Sequence, residues 1–204
     1  MNPLGVILAG GLSRRMEGQE KSLLNLGGKP LIGHVLDRIG PQVSEVIINA
    51  NGDANRFSDL GVRVQADTVE GFAGPLAGVL AGMRWAQSNT QSSHIITAAA
   101  DTPFFPINYC EQMVSAAKQE SAEIALASSN GRRHPVFGLW PVSLADALEH
   151  FLVKEENRKV MLFVDRFSNC EVEFGVENHD PFFNVNTPED FANAETMILQ
   201  ATVT

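Results

Sequence analysis

The sequence predicts an α/β fold, a mostly parallel twisted sheet with helices on both faces. Three observations predict it. Short apolar runs without polar alternation recur along the chain, as strands buried on both faces require. Between them lie segments whose apolar residues return every three to four positions, the period of a helix packed on one side. The two patterns alternate from end to end without a linker, low-complexity tract or internal repeat, as successive βαβ units do. The 204 residues are expected to form one domain, 1–204, able to bury about 70% of its unfolded surface without a disulfide or metal staple.

The elements follow in order. Leu4–Leu8 is a continuous apolar run ending in Ala9-Gly10-Gly11, a strand running into a turn. Leu31, Ile32, Val35, Leu36 and Ile39 recur at helical spacing behind Pro30, a favoured first-turn residue, and Gly40-Pro41 stops that helix. Glu45–Ala50 and Val62–Ala66 read as the second and third strands, separated by the turn-rich Asn51-Gly52-Asp53. Leu76, Val79, Leu80 and Met83 mark a helix behind Pro75, and His94–Ala100 is the next buried strand, ending at Asp101-Thr102-Pro103. Ile107, Cys110, Met113, Val114 and Ala117 form the following helix; Glu123–Ala127 and Pro135–Trp140 are further strands. Ser143 is placed to cap a helix carrying Leu144, Ala147, Leu148 and Phe151. Thr187-Pro188-Glu189-Asp190 has cap, proline and acidic first turn in the order of a helix start.

Composition removes several classes of function. Fifteen basic against twenty-four acidic residues leave a net charge of −9, which argues against a surface that tracks nucleic acid. No apolar run approaches the ~20 residues that cross a bilayer. The N-terminus lacks the basic and apolar regions of a secretion signal, so a cytoplasmic protein is expected. Cys110 and Cys170 match no metal or redox spacing and read as small core residues. The basic residues are unevenly spread: Arg14, Arg15, Lys21, Lys29 and Arg38 fall in the first 38 positions, against Glu17, Glu20 and Asp37, as if reserved for a small anion.

In parallel sheets ligands bind beyond the carboxyl ends of the strands, so the residues just past each strand are the ones to inspect. The first strand delivers Gly10-Gly11 with Ser13, Arg14, Arg15 and Lys21 after it. This is neither the dinucleotide fingerprint, whose glycines are spaced and whose second strand closes on an acid where Asn49 stands here, nor a P-loop. It can cradle a polyphosphate, or it can be a tight turn followed by solvated cations. Asp101 closes an apolar strand. That placement suits Mg²⁺, which takes one or two carboxylates and completes its shell with water and substrate phosphates; the bland reading is a helix cap. Gly71–Gly78 opens a helix whose amides can hold a base or phosphate edge, or is only a glycine-rich helix entry. Asn184 and Asn186 alternate and so share a face. Arg132-Arg133-His134 reads as a cationic loop fit for a second anion. No zinc spacing and no nucleophile elbow occur.

Taken together, these residues resemble the molybdenum cofactor guanylyltransferases, within the wider group of nucleotidyltransferases that share a Rossmann-like domain. The carriers are Leu8-Ala9-Gly10-Gly11-x-Ser13-Arg14-Arg15-Met16 with Lys21, Asn49-Ala50-Asn51, Asp67, Gly74-Pro75-Leu76-Ala77-Gly78, Asp101-Thr102-Pro103, His134-Pro135 and Asn184-Val185-Asn186-Thr187-Pro188. The resemblance implies transfer of GMP from Mg·GTP to the terminal phosphate of molybdenum-bound molybdopterin, with release of pyrophosphate. By position it implies that Leu8, Ala9 and Gly10 meet GTP through their backbone and that Lys21, Asn49, Asp67 and Asp101 complete the nucleotide site. Asp101 would carry Mg²⁺, and Lys21, Arg15 and Asp101 would carry the catalysis. Asn184 and Asn186 would lie near the reacting phosphates or the pterin. A monomer is expected, with molybdoenzymes and other cofactor-assembly proteins as partners and neither nucleic acid nor membrane. A CTP-dependent or sugar-phosphate enzyme of the same fold is the nearest alternative, and a non-catalytic cofactor-delivery subunit the next. Two positions depart from the commonest pattern: Glu17 stands where glycine is usual, and Glu20 where aspartate is more frequent.

Overall fold

A computed structural model describes residues 2–10, 20–69, 71 and 74–202. Its strands are β1 (Leu4–Leu8), β2 (Asn25–Leu26), β3 (Lys29–Pro30), β4 (Val46–Asn49), β5 (Arg63–Gln65), β6 (His94–Ala99), β7 (Ile124–Ser129), β8 (Arg132–Pro141) and β9 (Asn169–Glu173). Its helices are α1 (Leu31–Ile39), α2 (Pro75–Asn89), α3 (Tyr109–Gln119), α4 (Ala145–Val153), α5 (Val160–Val164) and α6 (Pro188–Thr202). Seven strands form one sheet in the order β5-β4-β1-β6-β8-β7-β9, and β2 and β3 form a separate hairpin. Within the sheet β8 runs antiparallel to both of its neighbours, while the other pairs are parallel.

The pleat explains how one apolar run serves two faces. Ile7, Ile48 and Ile96 point to the side where Val35 of α1 and Met113 of α3 pack. Val6, Ile47 and Ile95 point the other way, onto Leu80 of α2 and Phe151 of α4. All ten side chains are fully buried, each worth about 1.5–3 kcal/mol of transfer free energy. A third, small cluster of Leu26, Leu31, Val185 and Ala194 joins the hairpin to α6.

The structure corrects several expectations. The helix after β6 begins at Tyr109, and Ile107 ahead of it is 76% exposed; the buried anchor there is Tyr109, whose hydroxyl donates to the Thr97 carbonyl at 2.9 Å. Ser143 lies inside a 3-10 turn, and α4 starts after Leu144 without a side-chain cap. β8 begins at Arg132, so the expected cationic loop is a strand end. The sequence reading passed over β9, whose side chains alternate exposed and buried as an edge strand's do. It also passed over the β2–β3 hairpin, because two-residue strands carry no period. None of the described helices is long and apolar enough to cross a membrane.

Candidate active site

From β1 the chain moves outward to β4 and β5, then returns to place β6 on the other side of β1. Such a reversal opens a crevice at the carboxyl end of the sheet. A cleft of about 310 Å³ lies there, lined by Leu8, Gly10, Asn49, Asn51, Asp67, Gly74, Pro75, Ala99, Asp101, Val136 and Asn184. That volume is at the small end for ligand sites. The strand ends stay tied together: Ala9 N–H donates to the Asn49 carbonyl at 2.9 Å, and Ala100 N–H to the Leu8 carbonyl at 3.1 Å. The Ala9 amide is therefore spent on the sheet.

On one side of the cleft an acid is held by two neutral amides. Asn49 is 2% exposed and donates from Nδ2 to Asp67 Oδ1 at 2.9 Å and to the Gln65 carbonyl at 3.2 Å. Asn51 donates to Asp67 Oδ2 at 2.7 Å and accepts from the Asp67 amide at 2.9 Å. Two glycines let α2 approach this group. A Cβ on Gly78 would stand 2.3 Å from Asn49 Oδ1 and 2.7 Å from Leu8 Cδ2, so only glycine fits. Gly74, at φ +72° and ψ −163°, opens the helix in a conformation that side-chain-bearing residues rarely adopt.

On the other side an acid is held by a cation. Lys21 is 9% exposed, and its ammonium bonds Asp101 Oδ2 and donates to Asn186 Oδ1 at 2.7 Å. Three separate segments deliver these groups. Lys21 opens the 3-10 turn Lys21–Leu23, just after Glu20, whose carboxylate lies 2.8 Å from Arg56 Nε. The unusual Glu20 thus faces an arginine rather than the cleft. Asp101 follows β6 and takes no part in capping α3, which starts after Asn108. Its carbonyl accepts from Val185 N–H at 2.9 Å, which seats the Asn184–Asn186 segment beside it. Val185 is fully buried, and the two asparagines flank it. Thr187 and Asp190 close a capping box at the start of α6: Asp190 N–H donates to Thr187 Oγ1 at 3.1 Å, and Asp190 Oδ2 accepts from the Asn186 and Thr187 amides at 2.9 and 2.8 Å. Partial burial of Asp190 works against its ionisation, but those amide bonds hold its carboxyl below the usual aspartate range.

Val136 reaches the cleft because β8 is irregular. The register with β7 jumps from Leu126↔Gly138 to Ala127↔His134, a bulge of the kind that re-aims side chains beside active sites. Buried Thr97 pins it: Oγ1 donates to the Val136 carbonyl at 2.7 Å and accepts from Gly138 N–H at 3.2 Å and Trp140 Nε1–H at 3.0 Å.

The expected anion-binding residues are partly spent elsewhere. Lys29 pairs with Asp37, and Arg38 donates to the Phe105 carbonyl at 2.8 Å. In the Arg132–His134 stretch, Arg133 pairs with Glu171 at 2.5 Å. His134 is buried, stacked on Phe182 with ring centroids 4.5 Å apart. Ser129 Oγ donates to Asp180 Oδ1 at 2.7 Å, which leaves it to accept from His134 Nε2 at 2.7 Å. Arg15, with Gly11, Ser13, Arg14, Met16 and Glu17 of the glycine loop, lies outside the described residues, as do Phe72 and Ala73.

So the structure brings Leu8, Gly10, Asn49, Asp67, Asp101 and Asn184 onto one cleft, with Lys21 and Asn186 bonded at its edge. Sequence reasoning did not single out the roles of Asn51, Gly78 and Thr97. The Asn49-x-Asn51 alternation was a signal for the first and the Gly74–Gly78 motif for the second; no local pattern marks Thr97. Among the described residues no group of three or more His, Cys, Asp or Glu could hold a metal by itself. Asp101 with the neighbouring asparagine carbonyl is a hard-oxygen donor set of the kind Mg²⁺ shares with substrate phosphates.

Known proteins resemble this chain along its length. The model of the MobA-like NTP transferase domain matches residues 5–167, stopping short of Asn184 and Asn186. A molybdenum cofactor guanylyltransferase from Mesorhizobium japonicum is 50% identical over 97% of this chain and 97% of its own. One from Bradyrhizobium sp. strain ORS 278 is 46% identical over 95% and 92%. Among solved structures, molybdopterin-guanine dinucleotide biosynthesis protein A from Archaeoglobus fulgidus superposes with a TM-score of 0.73 at 25% identity, over 97% of this chain and 99% of that one.

Proposed function

The chain belongs to the MobA-like NTP transferase family, and from that premise we propose that its cleft transfers GMP from GTP to the terminal phosphate of molybdenum-bound molybdopterin. Pyrophosphate leaves, and the guanine dinucleotide form of the cofactor results. The chain is a nucleotidyltransferase. The observation in the molecule itself that carries this reading is the Lys21–Asp101–Asn186 cluster at the crevice of the sheet.

The reaction needs charge management more than proton transfer. A phosphate monoester has its second pKa near 6, so the attacking group is already mostly a dianion at neutral pH. The difficulty is to hold two polyanions in line. Asp101 would hold Mg²⁺, which when bound supplies Lewis-acid neutralisation of phosphate oxygens. Lys21, with Arg15, neutralises the departing pyrophosphate. Asn184 and Asn186 orient the phosphate of the second substrate. Leu8, Ala9 and Gly10 border the nucleotide at the end of β1, with the Leu8 carbonyl and the Ala9 amide already bonded within the sheet. Asp67 faces it from the other wall, and nearly buried Asn49 acts through Asp67 by fixing its carboxylate. Full-length relatives named for guanylyl transfer favour GTP over CTP.

Calorimetric titration with GTP, CTP and ATP, with and without Mg²⁺, on the wild type and Asp101→Ala tests this. Selective GTP binding whose Mg²⁺ dependence vanishes in the variant is expected, followed by pyrophosphate release with molybdopterin substrate. Preference for CTP overturns the guanylyl assignment.

A further inference from the structure

The ammonium of Lys21 sits on one of the two oxygens that Asp101 can offer a divalent cation. It bonds Asp101 Oδ2 and lies 2.7 Å from Asn186 Oδ1, and its side chain is 11% exposed. Those are the hard oxygens that Mg²⁺ would take. The second carboxylate oxygen of Asp101 has the Thr102 hydroxyl 3.4 Å away. A carboxylate this enclosed needs a counter-charge, and Lys21 supplies it. A divalent cation on Oδ2 would lie against the ammonium, and at contact distance in a half-buried site their repulsion is poorly screened.

The backbone around Lys21 is braced on both sides. Glu20 before it is paired with Arg56; after it, Leu31 N–H donates to the Leu24 carbonyl at 2.9 Å, and Leu26 and Leu31 are packed under α6. What remains free to turn is the four-carbon stem of the lysine, a flexible carrier of a point charge. We infer that Lys21 is a resident counter-ion: it occupies the metal-binding oxygen of Asp101 until a triphosphate draws the ammonium onto its phosphates and frees the carboxylate for the divalent cation. Metal and nucleotide therefore load together. This rests on the nucleotidyltransferase reading and adds an order to it.

Direct Mn²⁺ binding to the full chain, read from the electron-spin signal of free Mn²⁺, tests the inference without turnover. Without nucleotide, wild type and Lys21→Arg bind Mn²⁺ weakly. Lys21→Met, which keeps the stem and removes the charge, binds at least about tenfold more tightly, a modest demand for removing a like charge at this range. Beyond the Mn²⁺ that GTP chelates in a protein-free control, GTP tightens Mn²⁺ on the wild type by about tenfold or more, and Asp101→Ala shows only the loss of signal seen in that control. Equal nucleotide-free affinity in wild type and Lys21→Met overturns the inference. Should Lys21→Met fail to fold, the wild type decides alone: the Lys21 ammonium resonance shifts with GTP and Mg²⁺ together but not with Mg²⁺ by itself, and a shift with Mg²⁺ by itself overturns it. Failure of GTP to bind any form would sink the functional reading instead, while the nucleotide-free comparison would still judge Lys21.

Discussion

Asp67 and Asp101 line one cleft, and the two are held in opposite ways. Asp67 accepts from two neutral amides, at 2.9 Å from Asn49 and 2.7 Å from Asn51. Asp101 is bonded to an ammonium. Neutral donors orient a carboxylate and leave its charge in place. A lysine neutralises it, and a lysine can leave. The difference teaches that one wall of the cleft is built to be fixed and the other to exchange partners. A third acid off the cleft, Asp180, takes a serine hydroxyl at 2.7 Å and the Phe182 amide at 2.9 Å and belongs to the fixed kind.

The sharpest way to break the comparison is at the exchanging wall. Lys21→Ala is expected to cost about 3–4 kcal/mol of transition-state stabilisation, a fall of roughly 10²–10³ in kcat/KM, as loss of a pre-organised charge partner does. Steady-state assays check this, and a loss under about fivefold would remove Lys21 from the chemistry. At the fixed wall the leading effect is on the fold. Gly78→Ala forces Asn49 and Leu8 aside and should cost about 1–3 kcal/mol in urea denaturation, the usual scale of overpacking, with weaker GTP binding. An unchanged midpoint would show that Asn49 has room to move. Asn51→Ala should weaken GTP binding by roughly 1 kcal/mol, the scale of one net hydrogen bond, and leave Mn²⁺ binding at Asp101 untouched; calorimetry separates the two.

The smallest effect is expected away from both walls. Burial first, with Arg132 adding to it, pushes the His134 imidazole below its usual pKa, while Asp180 and Glu173 pull the other way. The folded chain thus refuses a proton that the unfolded chain accepts below about pH 6.5. Its contribution is present above that pH and is lost as pH falls through it. Wild type should lose more thermal stability than His134→Gln between pH 7 and pH 5. Parallel losses would show that the buried ring does not drive the pH dependence.

Much of the sheet was legible because burial leaves a period. Leu4–Leu8 is apolar on both faces, as is His94–Ala99 apart from its first residue and the buried Thr97, and α1 carries its stripe behind Pro30. The strand-end rule then put Asn49, Asp67 and Asp101 on one rim. Arg132–His134 misled because clustered charge reads as solvated loop, whereas here a strand alternation sends Arg133 to Glu171 and His134 into an aromatic cluster. Ile107 misled because it falls on the helical period while lying outside the helix.

The sequence by itself determined which faces are apolar, where strands stop, and that acids and amides stand at those stops, because local period and turn chemistry are written residue by residue. Only the tertiary structure decided who holds whom. Lys21 meets Asp101 across 80 residues and Asn186 across 165, joined by the small Leu26, Leu31, Val185 and Ala194 core. No local pattern encodes such contacts. They exist because packing distant segments together brings buried charges into reach, where a carboxylate and an ammonium are stable together and neither is stable alone.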